Sequence, residues 1–217
     1  VTTAANTGPS SIDLAAADKL LTTTRSVRKR LDLEREVPLE LVMDCIRIAQ
    51  QAPTGSNSQQ WRWIVVTDPA KRAAIAEAYR EGAGNYFAGA RPGTETQTGR
   101  VVDSATYLLD VLDRVPVHVI PCHVGRPDGL AHAHAAGIYG SVLPAAWSFM
   151  LAGRARGLGS AWTTLHLNRE KQVAELLGIP DDVAQMALIP VAYYTGEDFR
   201  PAERPPVESI VHVDSWD

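Results

Sequence analysis

The sequence has few residues with which to cross-link or to ligate. Cysteine occurs twice in 217 residues, as Cys45 and Cys122, far apart and without a C-x-x-C. That excludes a zinc ribbon or a disulfide scaffold and is read as a chain of a reducing compartment, the cytoplasm. His132 and His134 stand one residue apart, and His118 and His123 fall near a strand end, but no cysteine or carboxylate lies at ligand spacing, so no metal is expected. A basic excess is also missing. Twenty-one Lys and Arg against 25 Asp and Glu leave a formal charge of −4, which argues against a general nucleic-acid binder. The G-x-G-x-x-G turn and the P-loop are both absent, so a bound nucleotide needs another device. Residues 1–11 lack the basic-then-apolar layout of a signal peptide and are expected to be flexible. The one long apolar stretch, residues 135–155, is interrupted by Gly137, Gly140, Pro144, Ser148 and Gly153. It reads as a core or dimer-interface helix, and no membrane partner is expected, because a span needs about 20 predominantly apolar residues.

What is present suits one globular domain over residues 1–217: 45% hydrophobic and 21% charged residues can build a core. Asp13 caps a helix over 13–23, with Leu14, Ala17, Leu20 and Leu21 at helical spacing. Pro38 opens a second helix at its first position, which Pro53 closes. W-R-W-I-V-V-T at 61–67 is a strand, and Asp68-Pro69 restarts a helix to about residue 80. Residues 82–100 carry five glycines and no apolar period, the pattern of a lid or loop. Helix is expected over 101–113, strand over 115–122, a long helix over 131–156 and strand over 158–165. A helix capped by Asn168 then runs to Leu177 and is ended by Gly178, and a further strand covers 184–195. The tail, 196–217, is expected to be an arm packing on a partner subunit. Strands and helices alternate, so the class is α/β or α+β.

Two runs carry chemistry. Arg25, Arg28, Lys29 and Arg30 follow the first helix, with Ser26 among them, and guanidinium forks and a hydroxyl suit phosphate oxygens. Alone, such a run also fits a solvated turn. The second, A-P-T-G-S-N-S-Q-Q-W at 52–61, offers backbone N–H groups and the amides of Asn57 and Gln59, which can read the edge of a heteroaromatic ring. Alone, it also fits an ordinary loop.

Together, R-S-V-R after an N-terminal helix, A-P-T-G-S-N-S-Q-Q-W some 25 residues on, G-L-G-S-A-W at 157–162 and Arg204-Pro205 in the tail resemble the nitroreductase family of flavoenzymes, and the resemblance runs over nearly the whole chain. It implies an α+β, three-layer sandwich with a mixed β-sheet flanked by helices, in an intertwined homodimer. It implies FMN as cofactor, NAD(P)H as electron donor and a small electrophilic substrate such as a nitroaromatic or quinone. By the same resemblance Arg25, Ser26 and Arg28 hold the flavin phosphate and pyrimidine edge, and Arg204 closes on the phosphate. Pro53, Thr54, Gly55 and Asn57 reach the flavin from the other subunit. Thr163, Thr164, Leu165 and His166 lie beside its redox-active side, and no dedicated catalytic base is implied. By its residue type His166 reads as a pocket residue facing substrate, or else as a surface or core histidine. Thr24 stands where many relatives have arginine, and Gln60 and Gly55 replace a usual proline and serine. The alternative is a flavin- or deazaflavin-binding protein of the same fold with a different or absent reductase activity.

Overall fold

The computed structural model describes residues 12–86 and 96–216. The expected flexible N-terminus (1–11) and the middle of the expected lid (87–95) lie outside them. The described residues form two compact units: Arg25–Gly196, and a second drawn from Val1–Thr24 and Glu197–Asp217.

In the second unit, helix α1 spans Leu14–Thr23 and is capped by Asp13, whose carboxylate accepts from the Ala16 N–H. Its end is closed by three consecutive threonines. Thr22, Thr23 and Thr24 each donate a hydroxyl to the carbonyl four residues back, at 2.6, 2.6 and 2.7 Å, engaging acceptors that a helix end leaves open. Lys19 pairs with Asp198 of the tail at 2.7 Å. The tail holds one short 3-10 turn, Val207–Ser209, and leaves Ile210, Val211, Val213 and Trp216 exposed.

The larger unit is built on one sheet. Strands β1 (Trp61–Val66), β2 (Val117–Val124), β3 (Leu158–Ser160), β4 (Val183–Gln185) and β5 (Ile189–Tyr193) assemble in the order β1-β2-β5-β3, with β4 also on β2. The sheet, expected to be mixed, is antiparallel in every pairing the described residues make. Connectivity explains this. Two helices, α3 (Pro69–Ala83) and α4 (Gln97–Val111), separate β1 from β2 and return the chain antiparallel. A single helix, α5 (His132–Arg154), joins β2 to β3, which run the same way, but β5 is inserted between them. The strand expected over 184–195 is broken by a bulge: Ile120 and Pro121 of β2 face three residues, Met186, Ala187 and Leu188. Pro121 has no N–H to give on that edge, and its carbonyl accepts from Met186 at 2.9 Å.

β2 is buried on both faces. On one face Val117 and Val119 join Ile189, Val191 and Leu158 against Val42, Cys45 and Ala49 of α2 (Leu39–Ala49) and Ala146, Phe149 and Met150 of α5. On the other, His118 bonds the Leu112 carbonyl at the end of α4, and α3 buries Ile75, Ala76 and Tyr79. The result is helices on both faces of a sheet. By length and composition α5 could cross a membrane, yet its C-terminal half is core, while His132–Gly140 is mostly exposed. Pro38 caps α2 rather than opening it, and α2 stops at Ala49. Asp68 caps α3 by accepting from Lys71 at 2.8 Å, with Pro69 in its first turn.

Two expectations about the chain after α5 fail. Strand stops at Ser160 instead of 165, and residues Leu165–Arg169 coil into a 3-10 helix. Asn168 therefore sits inside that turn and donates to the Gly82 carbonyl at 2.8 Å, and helix α6 (Glu170–Leu177) begins after Arg169. Gly178 ends it in the left-handed region, at φ 67°. Gly82, taken from the sequence as the first residue of a lid, is buried in the last turn of α3. A Cβ there would stand 2.1 Å from the Leu165 carbonyl oxygen, so only glycine allows α3 to press on the 3-10 helix.

Candidate functional site

Residues 25–28 run beside β3, and the chain turns at Lys29 and Arg30, where the Leu31 N–H donates to the Arg28 carbonyl at 3.2 Å. The Val27 N–H donates to the Ser160 carbonyl at 2.8 Å, and Leu31 bridges Tyr194. Val27 and Leu31 face inward, which turns Arg25 and Ser26 to solvent and leaves Arg28 half-buried. The approach is tight. A Cβ on Gly159 would lie 3.0 Å from the Val27 side chain and 3.2 Å from Leu31. The glycine of the G-L-G-S-A-W run is thus what admits the basic segment to the sheet.

Arg28 opens on a cavity of about 230 Å³ lined by Tyr79 of α3, Tyr86, Val101, Val102 and Ala105 of α4, and Trp162–Leu165. Four expected site residues, Arg28, Thr163, Thr164 and Leu165, are brought together here. The cavity is below the roughly 300–1,000 Å³ usual for small-molecule sites, the size of part of a site. Its floor is organised by β5. Thr163 exchanges backbone hydrogen bonds with Leu188, 3.1 and 2.8 Å, and its hydroxyl donates to the same carbonyl at 2.7 Å. These continue the β3–β5 register past the two residues where strand geometry lapses. Thr163 has therefore no N–H left for a ligand. The N–H groups of Thr164 and Leu165, at the start of the 3-10 helix, donate to no backbone carbonyl among the described residues.

Electrostatically the cavity is governed by Arg28. Its Nη1 donates to Ser104 Oγ at 3.3 Å, its Nε is buried without an acceptor, and no carboxylate pairs with it among the described residues. Burial lowers the guanidinium pKa from its ordinary value, against a raising influence of Tyr79. Burial likewise raises the Tyr79 phenol, whose hydroxyl is hydrogen-bonded to Thr163. Tyr79 and Ser104 carried no signal in the sequence, since neither belongs to a motif and each meets the site only through packing.

Other expected residues lie elsewhere. His166, expected to face a substrate, is completely buried and is not among the cavity's lining residues. Neither ring nitrogen finds a partner, and burial pushes its pKa down to about 4, with His118 close enough to push the same way. The 3-10 helix over Leu165–Arg169 turns the side chain after Leu165 inward. Pro53, Thr54, Gly55 and Asn57 do not line the cavity either. They form an exposed loop on the open half of α5, with Gly55 N–H on Ser141 Oγ at 2.9 Å. Ser56, Asn57 and Gln59 all have left-handed backbones, φ 53°, 54° and 51°. Such strain costs on the order of 1–3 kcal/mol per residue and gathers at ligand-binding segments. The Gln59 side chain donates to Asn57 Oδ1 at 3.1 Å and holds the loop in shape. Arg204, in the second unit, is exposed and donates to the Glu203 carbonyl. The Thr24 hydroxyl, engaged by Leu20, offers nothing to a phosphate. Among the described residues no group of three or more metal-ligating side chains converges.

The model of the Nitroreductase family matches residues 21–193. An NADH dehydrogenase of Thermus thermophilus is 30% identical over 198 residues, covering 86% of this chain and 90% of that one. Human iodotyrosine deiodinase 1 is 28% identical over 199 residues, 89% of this chain, and the match spans 66% of its length. Among solved structures, the FMN and NADPH-dependent nitroreductase NfnB of sphigopyxis sp. strain HMH superposes with a TM-score of 0.65 at 20% identity, covering 92% of this chain and 99% of that one. Iodotyrosine deiodinase bound to FMN and 3-iodo-L-tyrosine gives 0.67 at 19% identity, covering 90% and 98%. At these identities the structural likeness shows the fold.

Proposed function

This chain belongs to the nitroreductase family, and we propose that it is an FMN-dependent oxidoreductase that draws hydride from NAD(P)H and delivers it to a nitroaromatic, a quinone or a similar flat electrophile. The observation that carries the reading is Arg28: a half-buried guanidinium with no carboxylate paired to it among the described residues, lining a cavity that Trp162–Leu165 also line. Most buried charges are paired. One left unpaired at a cavity suits an electron-rich or anionic ligand edge.

The residues fit a flavin in that place. FMN, when bound, supplies the acceptance and release of hydride, so no catalytic acid or base is required of the protein. Arg28 would hold the pyrimidine edge and favour negative charge there. Arg25 and Ser26, exposed at the start of the segment, would take the phosphate. The N–H groups of Thr164 and Leu165 would orient the ring system, while Thr163, tied to Leu188 on three sides, keeps that turn rigid. Val101, Val102 and Ala105 give the cavity an apolar wall against which a flat substrate would pack. The strained loop at 54–59 would complete the site of a second subunit, since in its own chain it lines no part of the cavity, and a homodimer follows from that role.

A second reading, reductive removal of a halogen from a halophenol, draws support from the likeness to iodotyrosine deiodinase. One experiment tests both. Purified protein should be yellow, and NADH or NADPH should bleach it anaerobically. A nitroaromatic or quinone should then restore the colour, with hydride consumed in proportion. Restoration by an iodophenol alone would favour the second reading. A protein that stays colourless after incubation with FMN would overturn both.

A further inference from the structure

Two neighbouring cations of the segment at Arg28 and Lys29 meet two neighbouring residues of α4, and α4 treats them differently. Lys29 is given a carboxylate, that of Asp103, in a direct ion pair. Arg28 is given a hydroxyl, that of Ser104, at 3.3 Å. Ser104 in turn donates its own proton to the Val101 carbonyl at 2.9 Å. Its oxygen is therefore fixed as an acceptor facing the guanidinium. The rest of Arg28 has little: the Nε is buried and unpartnered, and Tyr79 is the titratable side chain beside it.

The difference has a physical consequence. A hydroxyl aims a guanidinium but leaves its charge whole, whereas a carboxylate both aims and neutralises it. An uncompensated half-buried charge raises the free energy of the empty protein and gives that energy back to any ligand atom that supplies electron density. Had Ser104 been acidic, as its neighbour Asp103 is, the counter-ion would already be in place and a ligand would have to displace it.

We propose that Ser104 is a positioning residue that holds Arg28 aimed and uncompensated for an anionic or electron-rich ligand edge, while the Lys29–Asp103 pair docks α4 and keeps the neighbouring cation out of the cavity. The role rests on the flavin reading of the same cavity and adds to it a side chain that touches no ligand. Because α4 also supplies Val101, Val102 and Ala105 to the cavity wall, the same contact ties the cation's aim to the shape of the substrate space.

The test compares Ser104→Asp with Ser104→Asn, which differ in charge and hardly in size. FMN affinity is read by quenching of flavin fluorescence on adding apoprotein, and apoprotein melting is followed separately. Ser104→Asp should bind FMN on the order of tenfold to a hundredfold more weakly than Ser104→Asn, the range of one charge-assisted hydrogen bond. Its apoprotein should melt no lower than that of Ser104→Asn, because the new carboxylate pairs with Arg28. A merely structural serine predicts parallel losses in both readouts, and FMN affinities within twofold of each other would overturn the role. If Ser104→Asp does not fold, Ser104→Ala carries the test. Without the acceptor that aims Arg28, FMN should bind several-fold more weakly, and Ser104→Thr, which returns the hydroxyl, should restore it. FMN affinities of Ser104→Ala and wild type within twofold of each other would overturn the role. Wild-type protein that takes up no FMN overturns the functional reading itself. Wild-type protein that takes up FMN while the variants fail to separate overturns only the positioning role.

Discussion

Arg126 and Arg28 are both partly buried arginines, and the fold handles them in opposite ways. Arg126 grips Glu170 with both terminal nitrogens, at 2.7 and 3.1 Å, and reaches Asp128 with its Nε at 2.8 Å. The Glu170 hydrogen bonds raise its pKa. Glu170 also accepts from the Gln185 N–H at 3.0 Å, so the pair fastens α6 to β4. Burial would lift the Glu170 carboxyl, but the bonds from Arg126 and Gln185 hold it below its ordinary value. Arg28 has one hydroxyl and a lowered pKa. His118 and His166 show a third outcome: burial outweighs the pull of Asp113 on the one and Glu170 on the other and holds both neutral, each with a pKa of about 4. Burial at Arg126, His118 and His166 is thus met by pairing or by neutrality, whereas Arg28, at the cavity, keeps its charge beside a hydroxyl and without a carboxylate, as the proposed ligand site requires.

Acid should break the neutral class first and with the largest effect. A histidine whose folded pKa lies below its unfolded value near 6.5 stabilises fully above 6.5, and that contribution is lost as pH falls towards 4. Each ring then accounts for about 3 kcal/mol. Urea denaturation at pH 7 and pH 4.5 should show the drop, and His166→Leu should flatten it; an equal slope in the variant would refute the assignment. Arg28→Ala comes next, with FMN binding weakened about 100-fold, or about 2.7 kcal/mol, and apoprotein stability almost unchanged. Isothermal titration with FMN measures the first and denaturation the second. Arg126→Ala should invert that result, with FMN affinity kept and stability reduced by about 1–2 kcal/mol, a buried-pair loss discounted for the one-third exposure of the side chain. If Arg126→Ala weakened FMN as much as Arg28→Ala, the division between the two arginines would collapse. Gly159→Ala should have the smallest effect, about 1 kcal/mol of overpacking against Val27. It should appear as a several-fold rise in the FMN dissociation constant, because the displaced segment carries Arg28.

Local chemistry was readable from the residues. Asp13 and Asp68 cap their helices, Gly178 ends α6, and W-R-W-I-V-V is a strand, because each depends on neighbours within a turn or on alternation. The nitroreductase motifs were readable too, and Arg28, Thr163, Thr164 and Leu165 line one cavity. The errors after α5 share one cause. The strand expected over 158–165 ends at Ser160, and the chain meets the β5 side again only where Thr163 bridges Leu188. His166 then falls on the inner side of a 3-10 turn, and Asn168 bonds α3 instead of capping α6.

What the sequence by itself determined is the set of side chains and the class of chemistry they suit: guanidiniums and a hydroxyl for an anion, a small polar loop, and the helix ends set by Asp13, Asp68 and Gly178. Those rest on covalent structure and on contacts within a few residues. Only the tertiary structure decided which cation stays uncompensated. That choice needs α4, about 75 residues away, to set Asp103 against Lys29 and Ser104 against Arg28, and it needs Gly159 to let the basic segment close on the sheet. Charge compensation is a property of distances across the fold, and sequence separation does not encode those distances.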